Sequence, residues 1–217
     1  MKRNAAGVAV LVTGLLLGVT ACGNEDGSSA SAAQTPAAKL NGTADKSTKS
    51  ALAALVALPR GYVADTRNGT GPFTVTSYLN TWSADPALDR GLLLNAGFTE
   101  GYRATRLSPD KKKRFTVQLF KAASAGKAQT LQNGLWTQDD HSSPFGVPGA
   151  FSDARVEYDG GTDQSVAIAE ASLAVGPVVV ELSVREAAAL GTTLTPDTKL
   201  ITAMAEEQRT RLTATTN

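Results

Sequence analysis

Pro177-Val178-Val179-Val180-Glu181-Leu182-Ser183-Val184-Arg185-Glu186 is the stretch whose reading decides the fold. Val178, Val180, Leu182 and Val184 alternate with Val179, Glu181, Ser183 and Arg185. A period of two, with aliphatic residues on one side and polar residues mostly on the other, is that of a strand in an antiparallel sheet. Gly176 turns the chain immediately before it, and residues 164–173 read as the preceding strand, with residues 154–158 before that. Downstream, Thr195-Pro196-Asp197 opens a helix with a cap, a proline and an acid, and Ile201, Met204, Ala205, Gln208 and Leu212 form its stripe.

Working toward the N-terminus, residues 138–150 are a loop broken by Pro144, Gly146, Pro148 and Gly149. Residues 124–137 predict a helix, with Ala128, Leu131 and Leu135 at helical spacing. Residues 98–107 and 113–121 predict a hairpin across the turn 108–112, with Phe115, Val117 and Leu119 on one side. Asp85-Pro86 starts a helix whose stripe is Leu88, Leu92 and Ala96, ended by Gly97. Residues 73–79 alternate in part and predict a strand, and residues 51–58 a short helix stopped by Pro59.

Strand, turn, strand, helix thus occurs at 98–137 and again at about 164–212. The expected fold is α+β, an antiparallel sheet with helices packed on one face, built from a duplicated ββα unit.

The first 50 residues differ in kind. Met1-Lys2-Arg3-Asn4 is a positive n-region, and residues 5–19 are 15 uncharged residues. That run suits a signal peptide and falls short of the roughly 20 residues of a membrane span. Val19-Thr20-Ala21-Cys22 then resembles the lipobox of bacterial lipoproteins. The resemblance implies cleavage after residue 21, a diacylglyceryl (palmitate-type) lipid on Cys22, and a place on the outer side of the cell membrane. Thiolate nucleophilicity suits that transfer, and two or more acyl chains anchor stably where one does not. Residues 23–50, rich in Ser, Ala, Gly, Thr and Lys, are a tether spanning on the order of 30 Å. Residues 51–217 are the folded domain.

Cys22 is the chain's single cysteine, so no intramolecular disulfide can staple the domain. Loss of Lys2 and Arg3 takes the formal charge from +1 to −1, which argues against nucleic acid as a partner. No cofactor motif is present. His141 is the sole histidine and reads as an exposed loop residue among Asp139, Asp140, Ser142 and Ser143; its neighbours cannot line up as nucleophile, base and orienting acid. One histidine and one lipidated cysteine make no zinc set, and the acids between 139 and 163 match no EF-hand, so no metal is expected.

Two candidate sites remain. Trp82, Trp136, Phe145 and Phe151 supply the aromatic residues of a ligand pocket rimmed by the 138–150 loop, with Arg103 and Arg106 beside it or paired to Glu100 and Asp110. Lys111-Lys112-Lys113-Arg114 is a solvated hairpin tip or a contact for anionic headgroups and wall polymers.

Leu58-Pro59-Arg60-Gly61-Tyr62, Val175-Gly176-Pro177-Val178-Val179-Val180 and Ala205-Glu206-Glu207-Gln208-Arg209-Thr210-Arg211-Leu212 resemble actinobacterial lipoproteins and the extracellular sensor domains of membrane kinases. Those sensor domains generally carry paired cysteines, which this chain lacks, and the resemblance implies no catalytic residues. The expected function is non-catalytic binding of a small molecule, lipid or protein partner at the cell surface. An envelope hydrolase or a structural interaction protein are the alternatives.

Overall fold

The computed structural model describes residues 50–216. The signal peptide, Cys22, the tether up to residue 49 and Asn217 lie outside the described residues. A 3-10 turn (Ala51–Leu55) leads into β1 (Val63–Ala64), β2 (Gly71–Phe73), α1 (Val75–Thr81) and α2 (Pro86–Asn95). Then follow β3 (Glu100–Leu107), β4 (Lys113–Lys121), α3 (Ala125–Trp136), β5 (Phe151–Asp159), β6 (Gln164–Val175), β7 (Val178–Ala189) and α4 (Thr198–Thr216). The expected α+β class holds.

Seven strands form one open antiparallel sheet in the order β1-β3-β4-β7-β6-β5, with β2 also paired to β3. The hairpins β3–β4 and β6–β7 abut along β4 and β7, where Val117 stands opposite Leu182 and Gln118 opposite Glu181. Unbroken register keeps each alternate set of side chains on its own face.

Helices cover both faces, which corrects the single-face expectation. Phe115, Val117, Leu119, Val178, Val180, Leu182 and Val184 share a core with Ile201, Met204, Ala205 and Leu212 of α4. Phe120 and Val179, on the opposite face, pack with Leu79 of α1, Leu93 of α2 and Ala128, Leu131 and Leu135 of α3. The run Val178-Val179-Val180, buried at all three positions, is the sequence signal of two-sided burial. The repeated element order therefore hides a difference. A rotation that superposed one hairpin on the other about an axis normal to the sheet would keep α3 and α4 on one face, and they lie on opposite faces.

Residues 73–79, expected as a strand, divide. Only Phe73 stays in β2, and Thr74 caps α1 in a reciprocal box, its hydroxyl accepting from the Ser77 backbone while the Ser77 hydroxyl accepts from the Thr74 backbone. Capping and burial of Tyr78 and Leu79 against Phe120 outweigh the β-propensity of the segment. Phe73 meets Tyr78 at 5.6 Å and Phe120 at 5.3 Å between ring centres. Gly101 admits its ring: a Cβ there would lie 2.1 Å from Phe73.

On α2 the expected stripe holds at Ala96 and, partly buried, at Leu92, and fails at Leu88. Asp89, Leu93 and Ala96 are buried, while Leu88 is exposed. On α4, buried Gln208 accepts from the Ala57 backbone (2.8 Å) and donates to the Leu55 carbonyl (2.7 Å). It fastens the first described segment to the domain.

Candidate functional site

The apolar packing of the α1–α3 face stops beyond Val179. On β7 the same-face residues become Glu181, Ser183 and Arg185; on β4 they are Gln118 and Thr116, and on β6 Ser172 and Glu170. Glu181 stands between Gln118 on one neighbouring strand and Ser172 on the other. These residues floor a cleft of about 320 Å³ walled by Tyr78, Trp82, Asp89, Leu135, Trp136 and His141. The 138–150 loop forms part of its rim, as the sequence reading has it.

Buried polar atoms are nearly always hydrogen-bonded. Three on the cleft lining make no hydrogen bond within the protein: the Gln118 Oε1, the Ser172 Oγ and the His141 Nδ1, the last 3.6 Å from Glu170 Oε1. Ser172 is 1% exposed. Glu181 likewise makes no hydrogen bond or ion pair. Burial, then the negative charges of Asp89, Glu170 and Asp139, push its carboxyl up to about 7. Asp89 is held differently, accepting from the Gln138 side chain at 2.8 Å and from the Tyr78 hydroxyl. Burial and the charges of Glu181 and Asp89 push the Tyr78 phenol well above its ordinary value. Arg103 stands 5.0 Å over the Trp82 ring, and desolvation lowers its pKa although Glu181 opposes the shift.

His141 is not the exposed loop residue expected. Its ring stacks on Trp136 (3.7 Å, 11°), and Trp136 stacks on Phe151 (5.8 Å, 22°). Nε2 lies 2.8 Å from the Trp136 carbonyl oxygen. A carbonyl only accepts, so Nε2 carries a hydrogen, while Nδ1 lies 3.6 Å from Glu170 Oε1.

Beside it, Arg155 Nη1 donates to Asp153 Oδ2 (3.1 Å) and to Glu170 Oε1. Asp153, fully buried, also accepts from the Ser143 backbone at 2.6 Å. Burial disfavours the Arg155 charge, yet the carboxylates of Glu170, Asp153 and Glu157 outweigh it and raise the guanidinium above its ordinary value. His141, Asp153 and Glu170 offer ligand atoms within 4.8 Å of one another, a grouping absent from the sequence inventory because Glu170 is distant in the chain. The Arg155 guanidinium already supplies positive charge to both carboxylates there.

No family model matches this chain, and no curated protein matches it. Among solved structures it is similar to the extracellular domain of PknH from Mycobacterium tuberculosis. The TM-score is 0.42 with 11% identity, over 70% of this chain and 81% of that one.

Of the sequence candidates, the structure brings Trp136 and Trp82 to the cleft, with Phe151 behind Trp136 and Arg103 against Trp82. Phe145 lies on the other face, beside α4 residues Thr198 and Thr202. Arg106 stands opposite Phe115 and donates to the Thr105 carbonyl at 2.9 Å, away from the cleft. The basic run also divides. Lys113 pairs with Asp197 at 2.7 Å and Arg114 with buried Asp65 at 3.1 Å, leaving Lys111 and Lys112 exposed at the turn. The floor residues Gln118, Ser172 and Glu181 were not among the candidates. Their signal is the change from Val179 to Glu181 on a face that Val179 shows to be covered.

Proposed function

We propose that this chain is a non-catalytic envelope lipoprotein, anchored by lipid on Cys22 and facing outside the cytoplasm, that holds a small polar molecule over Glu181. The observation that carries the binding role is the convergence of unpartnered Gln118, Ser172 and Glu181 on one cleft floor beside Trp82. A cleft of about 320 Å³ is within the range of small-molecule sites, roughly 300–1,000 Å³. Its polar floor favours a polar ligand over an acyl chain or a flat protein surface. The anchor rests on the lipobox-like Val19-Thr20-Ala21-Cys22; among the described residues no helix is long and apolar enough to cross a membrane.

Native mass spectrometry of the full chain tests the binding role. A co-purifying small molecule that disappears in Ser172→Leu, which would fill the floor, is the expected result; an unliganded mass for both proteins counts against it. Cys22→Ser is expected to move the protein from the membrane fraction to the medium. Undiminished membrane retention would refute the anchor.

One observation favours a second reading, an envelope hydrolase. Glu181, held partly protonated at neutral pH near the anionic Asp89, has the properties of a general acid beside a carboxylate. Turnover of the captured molecule, abolished in Glu181→Gln, would establish that reading.

A further inference from the structure

The cleft's unpartnered groups have a shared chemistry. Gln118 Oε1 is an acceptor. The Glu181 carboxylate accepts when ionised, and Ser172 Oγ can do either. Among the buried side-chain atoms left without a hydrogen bond on the lining, none is an obligate donor. Charge runs the same way: Asp89, Asp139, Glu170 and Glu181 line the cleft against Arg185 and His141. Arg155 satisfies Glu170, while Tyr78 and Gln138 satisfy Asp89. Glu181 alone is left on the floor without a hydrogen bond or ion pair, the charge of Arg103 offsetting its burial only in part.

A negatively biased cavity whose buried unpaired atoms can accept complements a ligand that is both cationic and rich in hydrogen-bond donors. We propose that the cleft binds a protonated organic amine or guanidinium, with Glu181 as its counter-ion and Gln118 and Ser172 accepting its N–H groups. The proposal rests on the cleft being a ligand site, as argued above. An anionic ligand would meet four carboxylates. A quaternary ammonium would supply the charge but leave the acceptors unpaired, which costs affinity.

Trp82 and Trp136 are the chain's two tryptophans and both line the cleft, so intrinsic fluorescence of the full chain reads the site directly. The probes are 1,4-diaminobutane, tetramethylammonium, D-glucose, citrate and calcium chloride, titrated at pH 8 with calorimetry in parallel. Diaminobutane is expected to bind about tenfold or more tighter than tetramethylammonium, and Glu181→Gln to weaken it by about tenfold or more. If glucose, citrate or calcium binds as tightly as the diamine, or Glu181→Gln leaves diamine affinity within about twofold, the cationic ligand is refuted while the cleft stands. If no probe binds and the native mass is also unliganded, both readings fall.

Discussion

Glu181→Gln is expected to stabilise the fold by up to about 3 kcal/mol at pH 8 and to leave it nearly unchanged at pH 4. The carboxyl sits on the cleft floor with no hydrogen bond or ion pair, and burial outweighs the Arg103 charge to raise it from an ordinary 4.5 to about 7. A raised folded-state value means that the native protein holds this proton more tightly than the unfolded chain. That contribution is fully present below about pH 4.5 and is lost as pH rises through about 7. Glutamine reproduces the neutral shape at every pH and escapes the loss. Urea unfolding of both proteins at pH 4, 6 and 8 measures the difference. A gap that is flat across pH, or absent at pH 8, would show the carboxyl to be solvated or paired. Asp89, Glu170, Asp139 and Arg103 surround the group, and they contribute equally to both proteins to first order.

Arg155→Met is expected to cost about 3–5 kcal/mol, because it strands Asp153 and Glu170 as buried anions. Asp153 is fully buried and Glu170 is 14% exposed at the side chain, so water cannot replace the guanidinium. The methionine retains much of the stem, which assigns the loss to charge rather than volume. Adding Asp153→Asn and Glu170→Gln should recover most of it, since the isosteric neutral network has no uncompensated charge. Chemical denaturation gives the magnitudes. Near-ultraviolet circular dichroism of the Trp136, His141 and Phe151 stack reports whether the rim loses its order with the network. A cost below about 1 kcal/mol would make the network an ordinary surface pairing.

The two effects have opposite signs for a reason. Arg155 neutralises the carboxylates that belong to the scaffold, whereas Glu181 is left un-neutralised at the bottom of a cavity. Filling that position with a neutral side chain improves the fold, so the carboxylate is a cost to stability that binding would offset. A ligand cation would supply what the protein withholds.

Much of the fold was legible because it depends on short-range chemistry. The alternation of Val178 to Val184, the Asp85-Pro86 start of α2 and the Asp197 cap of α4, which accepts from the Leu200 backbone at 3.1 Å, are all local signals. The strand expected over 73–79 failed where a local cap and a distant partner, Phe120, acted together. The α2 stripe failed at Leu88 because its neighbour Asp89 is buried instead for the hydrogen bonds it accepts, which no hydrophobic period records. Phe145 and Arg106 missed the site because proximity in sequence to Trp136 and Arg103 does not fix which face of the sheet a side chain reaches.

What the sequence determined by itself was the alternation of the long strands, the order of the elements from α2 onward and the antiparallel α+β class. Each is written in residues close together in the chain. Tertiary structure alone decided that helices cover both faces and that the α1–α3 layer stops short of Glu181. It also decided that Glu170 returns to His141 and Asp153. Those outcomes depend on register across β4, β7 and β6, where residues some 60 positions apart become neighbours, Gln118 beside Glu181 among them. The site is therefore a property of the sheet's pairing, and no single stretch of the chain contains it.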